Sequence, residues 1–175
     1  MRFAIALLAL ALSTLTFAAP KDMPARKPGL WEMKMQVPGM PQPMVSQQCI
    51  DEKTDDLMQQ QGQAQAKQQC SKNAMRKEGD KVIVDSVCKF DGTTATTTAV
   101  FSGDFSRSYR GEINTTYTPP MHGMKSSKQT MEAKWLGACK PGQKPGDVIM
   151  PGMGSMNLND MMKNLPEGAR SRMPR

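Results

Sequence analysis

The chain's single histidine lies in Met121-His122-Gly123-Met124, between two methionines. Thioether sulfur is a soft ligand that favours Cu(I), and imidazole also suits copper, so Met121, His122 and Met124 form a candidate metal set in one short turn. The chain has 17 methionines, including Met33 and Met35 around Lys34 and the run Met150, Met153 and Met156. The competing reading is structural. Methionine fills irregular cores and adaptable surfaces, and Met33, Met35 and Met131 alternate with polar residues beside Trp31 and Trp135. The histidine stretch follows Pro119-Pro120, precedes an alternating segment, and resembles the turns at Pro38-Gly39-Met40 and Pro151-Gly152-Met153. A hairpin tip is therefore the leading reading of residues 121–124, with copper binding as the alternative.

Other chemistry lacks its parts. An acyl-transfer triad needs a nucleophile, a base and an orienting group, and His122 is the one imidazole available. No glycine-rich phosphate loop follows a strand and opens a helix. Asp51, Glu52, Asp55 and Asp56 lack the ligand spacing and turn glycine of a calcium loop. The separations of other carboxylates are not readable from the sequence. The chain is accordingly expected to be non-enzymatic, with no catalytic residue and no cofactor beyond possible copper.

The elements that position these residues begin after a leader. Arg2, an apolar run from Phe3 to about Leu15, and small residues at Ala18 and Ala19 have the form of a secretory signal peptide, with cleavage expected after Ala18. Removing 18 of 175 residues leaves 157, and loss of Arg2 lowers the formal charge from +7 to +6. No cysteine near the cut provides a lipid anchor, so the expected product is a soluble periplasmic protein with no transmembrane segment. Its Lys and Arg residues are scattered rather than interleaved with aromatics, which argues against nucleic acid.

Export also explains the cysteines. Cys49, Cys70, Cys88 and Cys139 form an even set with no CxxC spacing, as expected of two disulfides rather than a zinc or redox site. Sequence alone permits three connectivities.

Trp31, Met33, Met35 and Val37 alternate with polar residues, a strand with one buried face, and residues 44–50 return after the turn at 38–43. Residues 51–69 change to acids followed by Gln and Ala, predicting an exposed helix weakened at Gly62. Residues 71–78, 81–90, 93–102, 105–118 and 126–136 then form a meander around Gly79-Asp80, Asp91-Gly92, Gly103-Asp104 and the histidine turn. Pairing Lys77 with Lys81 around a three-residue turn makes opposed residue numbers sum to 158 and sets Cys70 against Cys88, leaving Cys49 for Cys139. A two-residue turn gives 159 and misaligns them.

The fold expectation is a mainly β, antiparallel meander of about seven strands, curved into a half-barrel or closed barrel. It comprises a flexible lead at 19–27, a disulfide-stapled β domain at 28–140 and a Met/Gly/Pro-rich tail at 141–175. Leu158, Met161, Met162 and Leu165 predict a short amphipathic helix near 157–165, capped by Asn157. Such a sheet can enclose a small apolar molecule, so the expected partner is a small ligand or an envelope component.

The chain resembles an exported proteobacterial family named as domain of unknown function 3617. The resemblance rests on Lys27-Pro28-Gly29-Leu30-Trp31-Glu32-Met33-Lys34-Met35, the Gln47-Gln48-Cys49 ending, Cys70 and Cys88, the threonine-rich strand with Phe101-Ser102-Gly103-Asp104-Phe105, and Lys134-Trp135-Leu136-Gly137-Ala138-Cys139. It implies export, the four-cysteine framework and a β-rich domain, and it brings no catalytic residues.

Overall fold

The computed structural model describes residues 23–152 and 154–164, excluding the side chain of Met162. The expected leader at 1–18, the first residues of the lead, and Leu165 at the end of the expected tail helix lie outside these described residues.

Among the described residues, nine strands form one antiparallel sheet. They are β1 (Gly29–Gln36), β2 (Met44–Ile50), β3 (Cys70–Glu78), β4 (Lys81–Phe90), β5 (Thr93–Asp104), β6 (Ser108–Met121), β7 (Met124–Gly137), β8 (Asp147–Met150) and β9 (Gly154–Asn157). Helix α1 (Glu52–Gln69) separates β2 from β3, and α2 (Leu158–Lys163) follows β9. The spatial order is β3-β4-β5-β6-β7-β1-β2-β8-β9, so the sheet has two free ends and is open rather than closed. Among the described residues no helix is long and apolar enough to cross a membrane.

The sheet curls because its buried side chains meet. Val82 of β4 and Ile50 of β2 stand five strands apart, yet share one cluster with Trp31, Phe105, Tyr109, Met131 and Ala133. Helix α1 completes that arrangement by running from β2 to β3, touching both and β4. Its 18 residues span ~27 Å. Asp51 fixes its start: its carboxylate accepts from the Thr54 N–H at 2.8 Å, while the Asp51 N–H donates to the Thr54 hydroxyl at 2.9 Å. The helix continues through Gly62, where the sequence suggested a weak centre.

Two departures from the sequence reading concern register and count. The β3–β4 turn holds two residues, with Glu78 opposite Lys81, and not the expected Lys77–Lys81 pair. A register shift between Cys70 and Lys72 then restores the opposition of Cys70 and Cys88. The expected partners thus meet for a different reason: a bulge absorbs the residue that the shorter turn displaces. Cys70 bonds Cys88, and Cys49 bonds Cys139. The second link crosses the start of β1, where Leu30 pairs with both Cys49 and Gly137.

The strand count rises from about seven to nine because β8 pairs with β2 and β9 with β8, within the stretch expected as tail. Gly146 anchors this addition by donating its N–H to the Cys49 carbonyl at 2.8 Å. Asn157 caps α2, its side-chain oxygen accepting from the N–H groups of Asn159 and Asp160.

Candidate functional site

The concave face is organised by an ion pair between the lead and α1. Asp55 was expected among exposed acids at the helix N-terminus; it is instead 2% exposed. Its carboxylate accepts from the Arg26 backbone N–H at 2.9 Å and Nε at 2.8 Å, and lies 2.7 Å from Nη2. Arg26 Nη1 also donates to Gln48 Oε1 at 3.1 Å and contacts the Met33 sulfur, while the guanidinium lies 5.9 Å from the Trp31 ring centroid. Capping at Asp51 turns the first helical turn inward, which is why Thr54 and Asp55 are buried there. Tyr109 stacks on Phe105 beside this pair, and burial pushes its phenol above the ordinary value, with Asp55 adding to the shift and Arg26 opposing it.

Two cavities flank Met33 and Gln48. One, about 270 Å³, is lined by Met23, Met58, Phe105 and Tyr109 together with Arg26 and Asp55. The other, about 210 Å³, is lined by Met33, Met35, Met44, Met131, Met150 and Val45 among others. Strand pairing assembles the second. Met35 of β1 stands opposite Met44 of β2 and also opposite Met131 of β7, so three thioethers form a cross-strand row. Met33 is two residues along the same face, and Met150 joins from β8. Met131 is 8% exposed and forms the floor, whereas Met44 is 49% exposed and forms the rim.

A third, broader groove of about 870 Å³ lies at the ends of β5, β6 and β7. Lys27, Arg107, Arg110 and Lys134 line it with Asp80 and Glu132, and the Lys27 ammonium lies 3.8 Å from the Trp135 ring centroid. Opposite charges are interleaved, leaving a shallow, mixed surface.

The predicted metal residues occupy the β6–β7 turn. Met121 pairs with Met124, and His122 and Gly123 between them have φ of 48° and 81°. Positive φ at both central positions is the geometry of a type I′ hairpin turn, so these residues have a sufficient structural role. Among the described residues, no three His, Cys, Asp or Glu side chains gather in a metal-holding group. The sequence reading placed Met33, Met35 and Met131 on buried faces, as found, but did not bring Met44 and Met150 to them. The alternation Met44, Ser46, Gln48 carried the first signal; Met150 carried none, because β8 is four residues long. Arg26, in the stretch expected as a flexible lead, was missed for lack of any local pattern.

Residues 26–139 match the model of a family described as Protein of unknown function (DUF3617). No curated protein and no solved structure matches the chain.

Proposed function

The chain belongs to the DUF3617 family of unknown function, and from that premise we propose that it is an exported, non-enzymatic protein that binds an elongated apolar ligand on its concave face. The observation that carries this reading is the pair of methionine-lined cavities separated by Met33 and Gln48. Each alone falls below the roughly 300–1,000 Å³ usual for small-molecule sites, whereas the two together fall within it. Met33 has three rotatable side-chain bonds, so its movement can join them. The resulting trough suits a linear chain, with Gln48 and the Arg26 guanidinium as polar groups midway.

Titration with a fluorescent polyene fatty acid, and displacement by the corresponding saturated alcohol, tests the reading. Saturable micromolar binding, weakened in Met44→Glu at the exposed rim, is expected. Absence of saturable binding for either probe would refute it.

A second reading, Cu(I) binding through Met121, His122 and Met124, draws on the opposition of Met121 and Met124 across the turn. Loss of Cu(I) binding in a His122→Ala, Met124→Ala variant would support it, and unchanged binding would exclude it.

A further inference from the structure

We propose that the cross-strand row Met35, Met44 and Met131, with Met33 and Met150 beside it, is a thioether site for a soft monovalent cation of the Cu(I) or Ag(I) class. The inference uses the same cavity as the apolar-ligand reading but does not depend on that reading.

Convergence comes from the sheet. Directly opposed residues on antiparallel strands hold their Cβ atoms ~4.5–5.5 Å apart, so Met44, Met35 and Met131 start within reach of a common centre. Their unbranched side chains can close the remaining distance without moving the backbone. Met33 and Met150 enter the same cavity from β1 and β8, giving five candidate sulfurs from four strands. The buried floor at Met131 and exposed rim at Met44 provide both a desolvated seat and an entrance.

The donor chemistry selects the ion. Among the described residues the cavity lining contains no carboxylate, imidazole or thiolate, the donors typical of hard and borderline cation sites. All four cysteines are in disulfides, so thioether is the sulfur ligand that remains under oxidising conditions. Lys34, the one charged lining residue among those described, directs its ammonium to Glu32 Oε1 at 3.3 Å, which offsets its repulsion of a cation. Neutral ligands also match the low charge of a monovalent ion, whose desolvation costs less than that of a divalent one.

The test is anaerobic competition of the full chain for Cu(I) buffered by bicinchoninate, with Ag(I) as a redox-inert second probe. One equivalent is expected to bind, with only sulfur scatterers in the copper X-ray absorption spectrum. The Met35→Leu, Met44→Leu, Met131→Leu variant keeps apolar character and nearly the same volume but removes the sulfur. Its Cu(I) affinity should fall more than tenfold, while its circular dichroism stays unchanged. Met35→Leu alone serves the same purpose if the triple variant does not fold. Absence of Cu(I) binding, unchanged affinity in the leucine variants, or loss confined to Met121→Leu, Met124→Leu would overturn the assignment. Cu(I) binding without fatty acid binding would leave this inference standing and remove the apolar-ligand reading.

Discussion

Arg26 and Asp55 are 29 residues apart in the chain, yet the Arg26 backbone N–H and guanidinium both close on the Asp55 carboxylate. This contact pins the segment before β1 to the first turn of α1. Both residues line the cavity beneath the helix.

Removing one member of that pair leaves the other charge buried. Asp55→Ala or Arg26→Ala is expected to lower stability by about 3–5 kcal/mol in urea denaturation. The double change Arg26→Met, Asp55→Leu should recover most of the loss, since a well-packed apolar pair avoids the desolvation of two ions. Equal losses in the single and double variants would contradict this account.

Two glycines should respond oppositely to alanine. A Cβ on Gly111 would lie 2.8 Å from the Phe101 ring and 3.0 Å from Met131 Cγ, so Gly111→Ala is expected to cost about 1–3 kcal/mol. Gly62 lies within α1 with nothing near its would-be Cβ, so Gly62→Ala should stabilise by about 0.5–1 kcal/mol. Thermal denaturation of both variants checks the pair of signs.

The disulfides close loops of different length. Cys49 and Cys139 are separated by 90 residues, Cys70 and Cys88 by 18. On the chain-entropy account the first contributes about 5 kcal/mol and the second about 3. Replacing each pair with alanines should therefore destabilise unequally, the longer link costing more. The reverse order in urea midpoints would show that bulge geometry outweighs loop entropy.

Acid should destabilise the fold through specific carboxylates. The Thr54 hydroxyl and N–H hold Asp51 below its ordinary 3.8. Thr98 and then Arg76 lower Asp85, Ser106 lowers Asp104, and Lys128 lowers Glu112. With the folded value lowered, the unfolded chain binds more protons, so stability rises with pH across this window. The contribution is complete above the ordinary carboxylate values and is lost as pH falls through the folded ones. Urea midpoints should be flat near neutrality and fall below about pH 4. Asp51→Asn, which retains the cap without the titration, should make that fall shallower; an unchanged slope in Asp51→Asn, Asp85→Asn would contradict the assignment.

Local patterning carried the meander. The alternation of Trp31, Met33 and Met35, the Asp91-Gly92 and His122-Gly123 turns, and the acidic start of α1 each depend on neighbours a few residues away. The Cys70–Cys88 opposition shows the limit of that information: the turn is two residues long, and a bulge that no local signal marks restores the alignment.

The sequence by itself determined an antiparallel β domain with two disulfides, because strand period, turn residues and an even cysteine set are local or countable properties. Tertiary structure alone decided the open curl, the added β8–β9 pair, the burial of Asp55 against Arg26, and the gathering of Met33, Met35, Met44, Met131 and Met150 around one cavity. Those features depend on which strands become neighbours and how far the sheet bends. Such relationships join residues distant in the chain, whereas the patterns read from sequence describe only the face each residue occupies on its own strand.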